Sequence, residues 1–258
     1  MKRNGGVRRL WKVLSQINIV NKEDMKVEIW SDVMCPFCYI GKRRFEGALS
    51  QFEHKNSIEI VWKSFQLNPG MKTDPDKNIN QYLAEIKGWT LEHAKQMNDH
   101  VTGMAREVGL DYDFDKAIVA NSFDAHRFVQ LAKKHNLGDA AEEVLFKAYF
   151  TEGKNIADPE TLIELGSGIG LDRLEIKEML NGTAFSEAVH QEVDEAQKLG
   201  IRGVPFYVMD RKYGVSGAQS SEVFLQTLNT SFGEWQQKNA PVLDIADGKV
   251  CTPEGDCN

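Results

Sequence analysis

Apolar positions change period several times along this chain. Val27 and Ile29 alternate with Lys26 and Glu28, which predicts a short strand with a polar face. Ser31 to Met34 read as a loop. Phe45, Leu49 and Phe52 then recur at helical spacing, with Lys42, Arg43, Arg44 and Glu46 expected on the wet face. Ile58, Ile60 and Trp62 alternate as a second strand. The period afterwards is helical. Leu91, Ala94, Val101, Ala105 and Val108 form one stripe, and residues 123–137, 140–149, 159–166 and 174–180 predict further helices. Asp158 before Pro159 suits an N-cap and first helical position, while Gly182 and Gly200 suit helix ends. The apolar run from Pro205 to Met209 predicts a returning strand.

Chemistry enters at Cys35-Pro36-Phe37-Cys38, where the first strand meets the first helix. Pro36 suits the first helical turn, since its missing N–H costs nothing there. A thiol at a helix start meets unpaired N–H groups and roughly half a positive charge, both favouring the anion. Free cysteine ionises near pH ~8.5, but in such motifs the value falls to about 3.5–7.5. Cys35 is therefore expected to be an exposed thiolate that attacks, and Cys38 the thiol that resolves. The competing reading is half of a structural zinc site completed by Cys251 and Cys257, which would make a zinc-stabilised binding domain. Five residues separate that second pair, beyond the usual two to four, and the segment is polar. Redox chemistry is preferred, with no metal expected.

Gly203-Val204-Pro205 opens the returning strand, and here the chain resembles thioredoxin-fold proteins. In that fold a cis-proline before a strand packs beside the CxxC. The helical block between the two halves resembles the DsbA architecture, and several segments resemble the FrnE-like branch, which includes 2-hydroxychromene-2-carboxylate isomerase relatives. They are Ile29-Trp30-Ser31-Asp32 before the cysteines, Phe65-Gln66-Leu67-Asn68-Pro69, Asn121-Ser122-Phe123-Asp124-Ala125-His126-Arg127, and Gly203-Val204-Pro205-Phe206 with Gly214-Val215-Ser216-Gly217-Ala218-Gln219.

The resemblance implies an α/β thioredoxin fold interrupted by a large all-helical insertion. The expected boundaries are an N-terminal extension over 1–24, a thioredoxin-like domain over 25–73 and 184–238, an insertion over 74–183, and a tail over 239–258. It also implies a cytoplasmic thiol-disulfide oxidoreductase (oxidase, reductase or disulfide isomerase) acting on protein disulfides through Cys35 and Cys38. Val204, Pro205, Pro36, Phe37 and His126 are the expected substrate-binding residues, and Cys251 and Cys257 a candidate redox relay. The partners would be cysteine-containing proteins, with glutathione or a dithiol reductant exchanging at the site and no bound cofactor. Phe37 stands where many relatives carry tryptophan. The isomerase and kappa-class glutathione transferase relatives carry serine at the first motif position, so Cys35 favours dithiol chemistry over a glutathione-dependent isomerase or transferase.

Asp32 reads as a helix cap or solvated loop carboxylate more readily than as a proton relay. For His126 a structural role competes evenly with the groove. His54, His93, His100, His135 and His190 lack metal-binding spacing and read as surface or helix residues. With 258 residues, 41% hydrophobic content and 13 Phe, the chain can bury a large core. Its net charge of −7 argues against nucleic acid as a partner. No stretch approaches the roughly 20 apolar residues that span a bilayer, so no membrane association is expected. Four cysteines are too few for a disulfide scaffold. The basic first 24 residues contain no clean apolar signal core, which leaves the cytoplasm as the expected compartment.

Overall fold

β1 (Met25–Ser31) is an inner strand of a four-stranded sheet and leads directly into the CxxC helix, α1 (Pro36–Gln51). The computed structural model describes residues 24–240. After α1 the chain returns through β2 (Ile58–Ser64), β3 (Asp74–Asn78), α2 (Ile79–Lys87), α3 (Leu91–Arg106) and β4 (Ile118–Val119). Five helices follow: α4 (Phe123–Lys134), α5 (Gly138–Phe150), α6 (Pro159–Gly168), α7 (Arg173–Asn181) and α8 (Ser186–Lys198). β5 (Phe206–Met209), β6 (Tyr213–Ser216) and α9 (Ser221–Lys238) close the order. The chain divides into a unit over Glu23–Phe232 and a second unit that takes residues from Gly233 onward. Among the described residues no helix is long and apolar enough to cross a membrane.

The sheet order is β2-β1-β5-β6, with β1 parallel to β2 and antiparallel to β5. Because Trp30 pairs with Phe206, Pro205 falls opposite the C-terminal end of β1, where the CxxC begins. Register alone therefore brings together two motifs separated by most of the chain. An inner strand is covered on both faces, which corrects the expected polar face of β1: Glu28 is buried and ion-paired with Lys63 and Arg211. A buried carboxylate costs several kcal/mol unless paired, and here it has two cations.

Helix ends follow the local rules. The Asp158 side chain accepts from the Thr161 N–H at 2.8 Å, with Pro159 in the first turn of α6. Gly200, at φ +75°, lies just beyond α8. The segment joining β2 to β5 is mostly helical, but it is not all-helical as expected. β3 and β4 pair antiparallel across it, and Pro75 keeps β3 out of a helix while pairing gives partners to its backbone. α1 also differs from expectation on its charged face. Lys42 is only 3% exposed in its side chain and pairs with Glu46, Asp139 and Glu143, because α5 covers what the sequence pattern left wet.

Gly41 marks the closest approach of α1 to the sheet. A Cβ there would lie 2.7 Å from the buried Tyr207 hydroxyl and 3.1 Å from Pro205. The tyrosine cannot yield easily, since Tyr207 is fully buried and packed between the Phe45 and Phe224 rings. Gly41→Ala is expected to destabilise the fold by about 1–3 kcal/mol, as overpacking generally does, seen as a lower urea midpoint with unchanged slope. A midpoint equal to wild type would show that the helix can move away from the sheet freely.

Candidate active site

Cys35 is the N-cap of α1, in extended backbone conformation, with no side chain capping the helix. Its N–H donates to the Asp32 carbonyl at 2.9 Å, and the Cys38 N–H donates to the Cys35 carbonyl at 3.0 Å, so the motif is a tight first turn. Both thiols are free. Cys35 retains 4% exposure and Cys38 none, so the expected exposed attacker is a nearly covered sulfur at the rim of the site. The Cys35 thiol donates to the Val204 carbonyl at 3.4 Å, and the Val204–Pro205 peptide is cis. Burial pushes the Cys38 thiol well above its usual range, with Cys35 pushing it further, while the Asp32 N–H and Ser31 hydroxyl partly counter this. The two sulfurs are thus differentiated by position: one at the helix tip beside the Val204 carbonyl, the other sealed beneath it.

Apolar surface flanks the rim. Phe37 is 38% exposed and Leu67 53% exposed. Val204 is half-buried and packs with Phe65 and Phe206 against a core cluster containing Trp30. Tyr112, from the segment before β4, donates its hydroxyl to the Pro36 carbonyl at 2.7 Å and stacks on Tyr39 and Phe150. Burial raises the Tyr112 phenol pKa, and both cysteines add to the shift. Composition and spacing gave no signal for Tyr112.

Asp32 corrects an expectation. It neither caps α1 nor faces solvent: it is 1% exposed, and its carboxylate accepts from the Met34 N–H at 3.3 Å and the Leu67 N–H at 2.8 Å. His126 is also 1% exposed, so it does not line a groove open to substrate. Helix α4 turns it inward, where its Nε2 lies 3.4 Å from Asp32 Oδ1, an ion-pair distance without a well-directed hydrogen bond. Burial works to lower the imidazole pKa, but Asp32, with Glu142 and Glu192, outweighs it, and the value is raised. Its neighbour Arg127 is structural: the guanidinium donates to carbonyls at Met179, Gly182 and Ala184 around the end of α7. Cys251 and Cys257 lie outside the described residues.

Comparison with known proteins now decides the family. Residues 26–229 match the DSBA-like thioredoxin domain. The chain belongs to that family. The fold of this DsbA-like chain is similar to a probable DsbA oxidoreductase from Streptomyces coelicolor, at 38% identity and TM-score 0.78, covering 91% of this chain and 98% of that one. The uncharacterized protein YwbO of Bacillus subtilis is 26% identical over 79% of this chain and 95% of its own length. The cytosolic disulfide reductase DsbM from Pseudomonas aeruginosa, solved with GSH, shares the fold at 17% identity and TM-score 0.55, with 83% of this chain and 99% of that chain covered.

A second buried carboxyl escaped sequence reasoning. Glu142 on α5 is 1% exposed with Oε2 unpartnered, and burial pushes it from an ordinary 4.5 to about 7. Between those values the folded protein holds a proton that the unfolded chain has released, so stability falls as pH rises through that window. His126 acts in the same direction: its raised value gives stability present below an ordinary 6.5 and lost as pH climbs through the folded value. Urea unfolding is therefore expected to show declining stability from pH 5 to pH 8, with Glu142→Gln removing roughly 3 kcal/mol of that decline at most. A variant with the wild-type slope against pH would show that Glu142 titrates normally.

Proposed function

We propose that this DsbA-like protein exchanges disulfides with cysteine-containing proteins and with glutathione, through Cys35 as the attacking or attacked sulfur and Cys38 as the resolving one. The observation that carries this reading is the Cys35 thiol at a helix N-cap, in contact with the carbonyl that precedes a cis-proline, over a fully buried second thiol. At the N-cap of α1 the rim sulfur sits beside helix-terminal N–H groups, the position expected of the nucleophile. The presence of cysteine rather than serine at position 35 supports dithiol exchange over isomerase chemistry.

In the reducing direction the Cys35 thiolate attacks a substrate disulfide, one substrate sulfur leaves as thiolate and takes a proton, and a mixed disulfide forms at Cys35. Cys38 then loses its proton and attacks Cys35 Sγ, the bond to substrate breaks, and the Cys35–Cys38 disulfide forms as the second substrate sulfur leaves. Two electrons pass from the protein dithiol to the substrate. In the oxidising direction the same steps run backwards, with direction set by the reduction potential relative to the surrounding thiol pool. Phe37, Leu67 and the half-buried Val204 offer an apolar rim to the residues beside the substrate cysteine. The cytoplasm is the proposed compartment, supported by likeness in fold to a cytosolic disulfide reductase.

Insulin reduction with a glutathione or dithiol supply tests the assignment. Cys35→Ser is expected to bring turnover to the uncatalysed rate. Cys38→Ser should still form a mixed disulfide with oxidised glutathione, visible as an intact-mass adduct at Cys35, and should fail to release it. Turnover surviving Cys35→Ser, or a Cys38→Ser variant that forms no adduct at Cys35, would overturn the assignment of roles.

A further inference from the structure

Asp32 commits every polar group it has to the turn that carries the cysteines. Its carbonyl accepts from the Cys35 N–H, its backbone works against the upward push of burial on the Cys38 thiol, and its carboxylate accepts from the Met34 N–H and from the Leu67 N–H across the rim. Where Asp32 sits therefore fixes where the resolving sulfur sits and how the Asp32 backbone supports negative charge there. An almost fully buried carboxylate needs compensation, and the only cationic side chain within ion-pair distance of it among the described residues is His126, 3.4 Å away and itself 1% exposed. We propose that His126 is a positioning residue for exchange at Cys38, acting through Asp32, with Glu142 as the third member of this buried group. The proposal rests on the disulfide-exchange reading.

The surroundings of His126 determine its charge. Asp32 comes from the loop before α1, Glu142 from α5 and Glu192 from α8, and all three favour the cation. Glu192 is already engaged by the Ser64 N–H, Gln130 and Lys133, so it is a fixed background charge. Arg127, next on α4, points to the end of α7. Glu142 is different, because its Oε2 has no partner and its charge changes near neutral pH. As Glu142 ionises it supports the imidazolium, and when His126 finally loses its proton the carboxylate of Asp32 loses its counter-charge. The loop then holds the Cys38 thiolate less well. Mixed-disulfide resolution requires that thiolate: Cys38 gives up its proton, its sulfur bonds to Cys35 Sγ, and the substrate thiolate departs.

The test follows the two chemical steps separately in the full chain. Iodoacetamide alkylation reports attack by Cys35, and acid-quenched reaction of the reduced protein with oxidised glutathione reports ring closure from the mixed disulfide. His126→Gln keeps a polar side chain of similar bulk without the charge. Ring closure in this variant is expected to be about tenfold slower than wild type at low pH, a factor corresponding to one unit of pKa support, with the ratio falling toward one as pH passes the imidazole's midpoint. Cys35 alkylation should stay within about twofold of wild type, the span of a few tenths of a kcal/mol. Equal slowing of both steps, or unaltered ring closure beside normal mixed-disulfide formation, would overturn the proposal alone. A wild-type protein that forms no mixed disulfide would overturn the exchange reading as well. Glu142→Gln supplies a readout independent of turnover: the His126 ring titration, followed by NMR in the reduced protein, should shift to lower pH. An unmoved midpoint would remove Glu142 from the group.

Discussion

The site depends on satisfying a buried carboxylate at the point where β1 stops. Asp32 follows the strand, where the sheet's own hydrogen bonds no longer supply partners, and it is almost completely removed from water. Backbone N–H groups from two loops and one imidazole meet the charge. Those contacts tie the CxxC turn to the Leu67 loop and to helix α4, which come from distant parts of the sequence. An apolar residue at this position would leave the two loops without their common acceptor.

The helices between β2 and β5 do more than enlarge the core. α5 supplies Asp139 and Glu143, which engage Lys42, Arg43, Tyr39 and Trp62 along the outer side of α1 and beside β2. The Glu143 carboxyl is held near 2 despite burial, because Arg43, Tyr39 and Lys42 all favour its charged form. Tyr112 reaches the motif itself through Pro36. The CxxC helix is accordingly clamped between a sheet on one side and an ionic, aromatic layer on the other. A thioredoxin-like sheet lacking the helical segment would expose that layer.

The sequence revealed more of the scaffold than of the site's inner wall. Alternation exposed β1 and β2, helical spacing exposed most of the helices, and Cys-x-x-Cys with Gly203-Val204-Pro205 pointed to the reacting centre. These are local signals, carried by neighbouring residues. α2 and the β3–β4 pair left no clear period: α2 is short, and β3 is a polar segment that β4 pairs with only irregularly. Glu28, Lys42 and Asp32 were misplaced because a charged side chain in a periodic pattern defaults to solvent, and only tertiary neighbours show that it is paired instead. His126 was singled out, but its inward direction depends on how α4 packs against α5 and α8. Glu142 and Tyr112 have no motif at all, and their roles arise from folding alone.

Lys42 carries a consequence for how the molecule comes apart. Its ammonium is sealed between α1, which belongs to the sheet layer, and α5, which belongs to the helical segment, with acidic partners from both. Peeling the helical segment away while the sheet stayed intact would break two of its three ion pairs and expose the stacked Tyr39–Phe146 contact at the same seam to water. Partial opening along that seam is thereby disfavoured, and the sheet and the helices that cover it are coupled into one cooperative melting unit.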